Sequence, residues 1–294
     1  MPEQARTAEQ QRAFGALVKE IEELRPLPAI AASIVQMSEG SKFSAQDLAR
    51  VVSTDQALTL TILRLSNSPL YGLPRRITTV RDSIVLLGFR EVKKTALAAC
   101  MMQDSNATTH LEYRAFWLYS LVVGMLAETL AKAEGGDPNE AFTAGVLHNI
   151  GRLALDQYQP NLLGAVAQRA REEQRALHEV QLSLLGFTDA ELGGMLARRW
   201  KFPEPLCEAV ENHVAKMSDL SSRTAPDALV VRARRYARAN GMTDGLDIRS
   251  KLAPDRDWLG PPISTELARV GGFDGVLTRA ESFLNEALRA LSAA

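Results

Sequence analysis

Residues 141–151 read Ala-Phe-Thr-Ala-Gly-Val-Leu-His-Asn-Ile-Gly, an apolar segment in which an imidazole is followed directly by an amide near a helix end. Metal ions that activate water need imidazole or anionic oxygen ligands held in an open site. His148 offers an imidazole, but Asn149 offers a neutral amide, which is a far poorer ligand than a carboxylate. This pair supplies too little charge to hold a catalytic metal, so any such site depends on other residues.

The composition is that of an ordinary folded protein. Of 294 residues, 46% are hydrophobic and 23% are charged, which argues against a disordered or membrane-embedded chain. The 34 basic and 35 acidic side chains nearly cancel, so no overall field draws the chain onto nucleic acid or an anionic membrane. Cys100 and Cys207 lack the paired spacing of zinc or redox motifs and are predicted to be buried thiols.

The sequence does not predict insertion into a membrane. The longest apolar run, residues 115–127, is well short of the roughly 20 residues that are needed to span a bilayer. The N-terminal residues have no apolar core like that of a signal peptide. We therefore expect a cytoplasmic protein.

Apolar residues recur at helical spacing along almost the whole chain, which predicts an all-α fold. Two helix starts carry the spacing of a capping box, Ser44 with Asp47 and Thr188 with Glu191. Residues 240–262 are rich in Gly, Pro and Asp and are predicted to be loop and linker.

The C-terminal residues 273–291 form an amphipathic helical pattern. The pattern fits either a helix docked on its own chain or an oligomer contact. Docking on the same chain is the preferred interpretation, and the oligomeric state stays open.

Short motifs are distributed along the chain. In the first half, residues 55–58 read Asp-Gln-Ala-Leu, residues 65–72 Leu-Ser-Asn-Ser-Pro-Leu-Tyr-Gly and residues 83–88 Ser-Ile-Val-Leu-Leu-Gly. The second half adds Phe-Trp at 116–117, the His-Asn stretch, Glu-Leu-Gly-Gly at 191–194 and Trp-Lys-Phe-Pro at 200–203. In this order the motifs resemble the HDOD domain, a catalytically degenerate branch of the HD phosphohydrolase superfamily that is found in bacterial signalling proteins.

The resemblance covers about residues 24 to 215 and implies a specific architecture. It implies an N-terminal helical bundle packed on a degenerate HD-like helical subdomain, followed by a C-terminal helical extension. We place the N-terminal subdomain at residues 1–105, the HD-like subdomain at residues 106–240, and the linker with the C-terminal helices at residues 241–294.

The resemblance also allows the ancestral metal ligands to be traced. Catalytic relatives carry a His, a His-Asp pair, a further His and a final Asp, at positions that here hold Tyr119, His148 with Asn149, Thr188, and Arg234 or Arg235. Metal affinity depends on the number and charge of the ligands, so this set implies neither a functional metal site nor a cofactor.

The histidines are accordingly given structural roles. His148 is predicted to be a packed, hydrogen-bonded side chain rather than a metal ligand. His213 matches a histidine at a helix end in the family and is also expected to be structural. His110 and His178 lie in contexts that look exposed.

The resemblance implies a non-enzymatic signalling adaptor that binds a protein partner whose identity the sequence does not give. Polar loops held by a rigid scaffold are common recognition sites. The candidate interaction residues are Asp55, Asn67, Ser68, Tyr71, Arg75 and Arg76. The alternative for these residues is structural, with Asp55 capping a helix and Asn67 and Ser68 satisfying a turn.

Two other functions stay open as alternatives. One is binding of an anionic ligand, such as a cyclic dinucleotide or nucleic acid, through the arginines of a single helix, Arg232, Arg234, Arg235 and Arg238. If Arg234 faces the former metal cavity, that cavity could accept an anion in place of a cation. The other is a residual metal-dependent phosphodiesterase, and neither alternative is favoured over the adaptor.

Overall fold

The protein is helical wherever its structure is described. The computed structural model describes residues 7–24, 29–37, 44–68, 71–72, 76–103, 110–220, 222–246, 248 and 261–291. Within these ranges every regular element is a helix. The predicted all-α fold class is therefore confirmed.

The described N-terminal part of the chain has six helices, four of which surround a central one. They are α1 (Ala8–Leu24), α2 (Ala29–Gln36), α3 (Ala45–Ser53), α4 (Gln56–Ser66), α5 (Val80–Leu87) and α6 (Phe89–Gln103). Helix α6 packs against α2, α3, α4 and α5. Its buried face, with Val92, Ala96 and Leu97, is the centre of this bundle.

The second half of the chain is built around one long helix. Its helices are α7 (Tyr113–Glu134), α8 (Pro138–Leu147), α9 (Ile150–Tyr158), α10 (Pro160–Glu173), α11 (Leu177–Leu185), α12 (Asp189–Arg199), α13 (Glu204–Asn212) and α14 (Pro226–Ala239). Helix α7 packs against α8 and α14, and α12 packs against α9 and α13. Helix α8 also contacts α6, which joins the two halves.

Helix α1 packs differently from its neighbours in sequence. It lies against α12 of the second half, and the ring of Phe14 is 4.7 Å from the ring of Phe187. The predicted N-terminal subdomain, residues 1–105, therefore includes a helix whose main contact is with the HD-like part.

Local capping chemistry sets many helix ends. Both predicted capping boxes are present, with the Ser44 side chain accepting from Asp47 N and the Thr188 side chain accepting from Glu191 N. The apolar pattern predicts a helix over residues 77–87 that ends at Gly88, but the helix begins at Val80. Thr79 caps it, while the backbone of Ile77 is held outside the helix by the Asn67 side chain.

The C-terminal helices dock on the same chain. Helices α15 (Pro261–Arg269) and α16 (Gly272–Leu291) pack on α7, and α16 also packs on α4. Val276, Phe283 and Leu284 of α16 are buried in the common core. The predicted docking in cis is therefore confirmed. The linker predicted at residues 240–262 is non-helical at residues 240–246 and 248, and residues 247 and 249–260 lie outside the described part. Its predicted end is wrong, because Pro261 and Pro262 already belong to α15, whose first turn accepts proline.

Helix α7 is the one described helix that is long and apolar enough to cross a membrane by length and composition. Its apolar window is 72% buried against other helices, as is usual for the core helix of a helical domain. Such a helix is weak evidence for a membrane span.

Candidate functional site

The His148–Asn149 pair lies in the tight connection between α8 and α9. His148 is fully buried, and its Nδ1 lies 2.6 Å from the carbonyl oxygen of Gly145. A carbonyl oxygen can only accept, so Nδ1 carries the proton and Nε2 carries the lone pair. That Nε2 has no hydrogen-bond partner, and neither polar atom of the buried Asn149 amide has one. His148 is thus packed and hydrogen-bonded, as predicted.

Glycines allow the helices to approach this connection closely. A Cβ at Gly145 would lie 2.5 Å from the Gly124 Cα, and a Cβ at Gly151 would lie 1.9 Å from the carbonyl oxygen of Asp189. Both contacts are too short for any residue except glycine. Gly193 of α12 lies opposite Gly151. Gly193 therefore allows close packing of α9 and α12.

The rings of Tyr119 and His213 pack against the ring of His148. The ring of His213, which follows α13, is 5.1 Å from the His148 ring, and the Tyr119 ring of α7 is 5.8 Å from it on another side. His213 is 1% exposed and donates from Nδ1 to the carbonyl oxygen of Val210 at 2.6 Å, which leaves its Nε2 without a partner. We refer to Tyr119, His148 and His213 as the ring cluster.

Arg234 of α14 brings a positive charge to the ring cluster. Its guanidinium donates to the carbonyl oxygen of His213, and its buried Nε has no partner. Burial, together with the charges of Arg238 and Arg152, lowers the pKa of Arg234 to about 10. Because this pKa is still well above 7, the side chain is a cation at neutral pH.

The two histidines of the ring cluster are held neutral. Burial is the main cause that lowers the pKa of both His148 and His213 well below 6.5, and the Arg234 charge adds to the effect. Their backbone hydrogen bonds act in the opposite direction but are outweighed. The cluster therefore presents two uncharged imidazoles beside a buried guanidinium.

A buried chain of ion pairs surrounds the cluster. Arg152 Nε lies 2.6 Å from Asp189 Oδ2, and Arg152 Nη1 lies 2.6 Å from Asp244 Oδ2. Arg238 also pairs with Asp244, and its Nε donates to the Tyr119 hydroxyl at 3.3 Å. Burial by itself raises the pKa of Asp244, but Arg152 and Arg238 outweigh it and hold that pKa far below its usual range. Both carboxylates are thus committed to arginines.

A cavity of about 310 Å³ opens beside these groups. We call it the basic cavity. Its charged wall consists of five cationic and two acidic side chains, namely Arg152, Lys216, Arg234, Arg235, Arg238, Glu179 and Asp244. His178 and His213 complete its polar wall. The cavity is therefore positively charged overall.

The donors at this site do not fit a resident metal ion. Within the described ranges, no group of three or more His, Cys, Asp or Glu side chains is placed to hold one. Metal affinity increases with the number and negative charge of the ligands. Here the free donors are two neutral imidazole nitrogens and the neutral Asn149 amide. The nearby carboxylates are paired with arginines, and the Arg234 cation contacts the backbone carbonyl of His213.

Comparison with known families assigns the chain. The family model of the HDOD domain matches residues 24–216. The chain belongs to the HDOD family. An uncharacterized protein of Treponema pallidum (strain Nichols) is 25% identical over 195 residues, which make up 66% of this chain but 38% of that protein. The match thus spans little more than a third of that relative's length.

Solved structures share the HDOD fold over nearly the whole chain. An HDOD domain protein of unknown function from Geobacter sulfurreducens superposes with a TM-score of 0.72 at 22% identity, covering 96% of this chain and 98% of its own. A Marinobacter aquaeolei VT8 protein, named as a candidate signal transduction protein, superposes with a TM-score of 0.71 at 20% identity. The match covers 97% of this chain and 66% of that one. A candidate phosphohydrolase from Shewanella amazonensis SB2B superposes with a TM-score of 0.69 at 23% identity. The match covers 94% of this chain and 98% of that one.

Only some of the residues that the resemblance relates to metal ligands of catalytic relatives lie close together in the structure. Tyr119, His148 and Arg234 meet at the ring cluster. Arg234, rather than Arg235, is the residue of α14 that contacts His213 there. Thr188 instead caps α12 and takes no part in the wall of the basic cavity.

The four arginines of α14 do not form one surface. Arg232 is buried and forms a bidentate pair with Glu134, at 2.6 and 2.9 Å. Arg234, Arg235 and Arg238 all line the basic cavity. Three of the four candidate anion-binding residues are therefore brought together, and the fourth belongs to a separate ion pair.

Polar side chains among the candidate interaction residues bond to the backbone. Asp55 caps α4 by accepting from Leu58 N at 2.9 Å. Asn67 bridges the loop, donating to the carbonyl oxygen of Ile77 and accepting from its backbone N–H. Asp55 and Asn67 thus have the structural roles of the alternative interpretation, whereas Ser68 is 5% exposed and its buried hydroxyl has no partner among the described residues.

The other candidate interaction residues vary in exposure. The Tyr71 hydroxyl lies 3.1 Å from both Glu91 Oε1 and Thr95 Oγ1, which ties it to α6. Arg76 is exposed. Arg75 lies outside the described residues.

Sequence reasoning did not identify several residues of the basic cavity. The expectation that His178 is exposed is wrong, because it is largely enclosed in the cavity wall, where burial lowers its pKa. Arg152, Lys216 and Asp244 were not singled out either. Arg152 and Asp244 are 92 positions apart in the chain, so no local spacing could reveal their pairing.

Proposed function

We propose that this HDOD chain is a non-catalytic regulatory module that acts by binding other molecules in bacterial signalling. The observation that carries the proposal is the Arg234 guanidinium in contact with His213 at the ring cluster. Family membership supports a relation to the HD superfamily, and the candidate signal transduction protein from Marinobacter has the same fold. We place this function in the cytoplasm.

The charge at the ring cluster argues against hydrolysis. A metal ion in an HD-type site would lower the pKa of a bound water and so create the nucleophile. In this chain a fixed cation stands beside the free imidazole nitrogens, and two cations near one another repel strongly in a buried environment. The same charge favours an anion, which makes binding the better use of the site.

A protein partner is proposed at the loop that carries Asp55, Asn67 and Arg76. Asn67 and Arg76 are exposed, and the Asn67 side chain bonds both backbone groups of Ile77, which fixes these two described residues relative to each other. Residues that are fixed before binding lose less entropy when they bind. The arginines of α14 do not form an exposed stripe, so extended contact with nucleic acid is the less supported alternative.

The test of the non-catalytic proposal is a hydrolysis assay. We expect purified protein to show no turnover of bis-p-nitrophenyl phosphate or of cyclic dinucleotides when Mn²⁺, Fe²⁺ or Mg²⁺ is supplied. The reason is that the site lacks the ligands to retain these ions. Product release is followed by absorbance and by chromatography.

The matched control is a His148→Ala variant purified in the same way. Equal background rates for the wild type and the variant would support the proposal. Turnover by the wild type that a chelator abolishes and that His148→Ala removes would contradict it, and would establish a residual phosphodiesterase.

A further inference from the structure

The charges of the basic cavity are only partly compensated. Asp244 is contacted by both Arg152 and Arg238. Among the residues that the structure describes, Arg234, Arg235 and Lys216 form no ion pair with a carboxylate, although all three line the cavity. An enclosed wall of this kind attracts anions, because the surrounding low dielectric strengthens the attraction.

The wall also contains a buried donor and a buried acceptor that are unsatisfied. His213 donates from Nδ1 to Val210, so its Nε2 is an acceptor, and this nitrogen has no partner although the residue is only 1% exposed. Arg234, which contacts the His213 carbonyl oxygen, has an unpaired N–H donor at Nε. Buried polar groups are nearly always paired, so each of these two atoms calls for a partner that no described residue supplies.

We propose that the basic cavity binds a hydrogen phosphate group, either as inorganic phosphate or as the protonated end of a small phosphate monoester. Its anionic oxygens accept from Arg234, Arg235 and Lys216, and its hydroxyl donates to His213 Nε2. Charge-assisted bonds from guanidinium groups are the strongest of this kind. The volume of about 310 Å³ is at the lower end for small-ligand cavities and leaves space beyond the phosphate.

This inference rests on the proposal that no metal is resident in the site. The phosphate would lie on fixed cationic side chains rather than on metal ions. The two ideas can nevertheless fail separately, because a chelator removes metal ions and leaves arginines untouched.

The experiment is isothermal titration calorimetry on chelator-treated protein at about pH 6, where roughly half of a monoester phosphate carries a proton. The probes are inorganic phosphate, adenosine 5′-monophosphate and sulfate. We expect saturable binding of at least one phosphate probe. Sulfate has no proton at this pH, so it leaves His213 Nε2 unsatisfied and should bind at least about tenfold more weakly.

Two variants test the cationic wall. Arg234→Met removes the guanidinium that contacts His213, and Arg235→Met removes a neighbouring one that makes no described ion pair; both residues are half-buried. Each should weaken phosphate binding about tenfold through the loss of one charge-assisted bond. Arg81→Met, an exposed arginine of α5 outside the cavity, is the control and should bind like the wild type.

The outcomes separate the possibilities. Binding of inorganic phosphate alone identifies free phosphate as the ligand, while binding of the nucleotide alone identifies a monoester. No saturable heat with either probe up to about 10 mM overturns the inference, and so does equal affinity for sulfate or unchanged binding by Arg235→Met. Phosphate binding that appears only after Mn²⁺ is added would instead overturn the proposed absence of a metal site.

Discussion

Replacement of Arg152 by alanine is expected to lower the free energy of unfolding by about 3–5 kcal/mol, the usual cost of removing one partner from a buried ion pair. The Arg152 side chain is 2% exposed, and its partners Asp189 and Asp244 are 1% and 4% exposed. Without Arg152, Asp189 loses its counter-ion and Asp244 keeps only Arg238. Urea denaturation near neutral pH measures the loss.

The matched control for this variant is Arg175→Ala. Arg175 also pairs with two carboxylates, Glu173 and Glu179, but its side chain is 42% exposed. Exposed pairs contribute roughly 0–1 kcal/mol, so this variant should be nearly as stable as the wild type. A loss below about 1 kcal/mol for Arg152→Ala, or an equal loss in the control, would show that the buried chain of ion pairs is not as described.

Acidification from pH 6.5 to 5.5 is expected to lower the free energy of unfolding by about 2 kcal/mol, about 1 kcal/mol from each of His148 and His213. The folded-state pKa of both is well below the ordinary value of 6.5. Above about pH 7.5 the histidines are neutral in both states and the stability no longer changes. As the pH falls below 6.5 the unfolded chain takes up protons that the folded chain refuses, so stability decreases.

Urea midpoints at pH 6.5, 6.0 and 5.5 measure this dependence. His178, whose pKa is also lowered by burial, adds to the same slope. His148→Met keeps a side chain of similar size and should remove about 1 kcal/mol of the pH dependence. Stability that stays constant or rises on acidification over this range would refute the neutral, buried histidines.

The parts of the fold that depend on local chemistry were predictable. The capping boxes at Ser44 and Thr188 and the docking face of α16 follow from short-range spacing, and all three are present. The start of α5 was misplaced by three residues. The reason is a bond from Asn67 to Ile77 across ten positions, which no helical periodicity records.

For the site itself, the sequence predicted only which metal ligands are missing. The resemblance implies that Asn149 and Tyr119 stand where catalytic relatives carry metal ligands, which concerns only the ligands that are missing. What the cavity has gained depends on tertiary contacts between distant positions, such as Arg234 with His213 and Arg152 with Asp244. His178 appeared exposed because its neighbours Glu179 and Gln181 are polar, although the fold encloses it.

The most direct test of the claim that the former metal site is now cationic is a Mn²⁺ titration of chelator-treated protein, followed by calorimetry and elemental analysis. The comparison is a double variant, Asn149→Asp with Arg234→Asp, which restores the two carboxylates and removes the cation. We expect no saturable Mn²⁺ binding by the wild type and measurable binding by the double variant. One equivalent of Mn²⁺ retained by the wild type and lost in His148→Ala would contradict the claim.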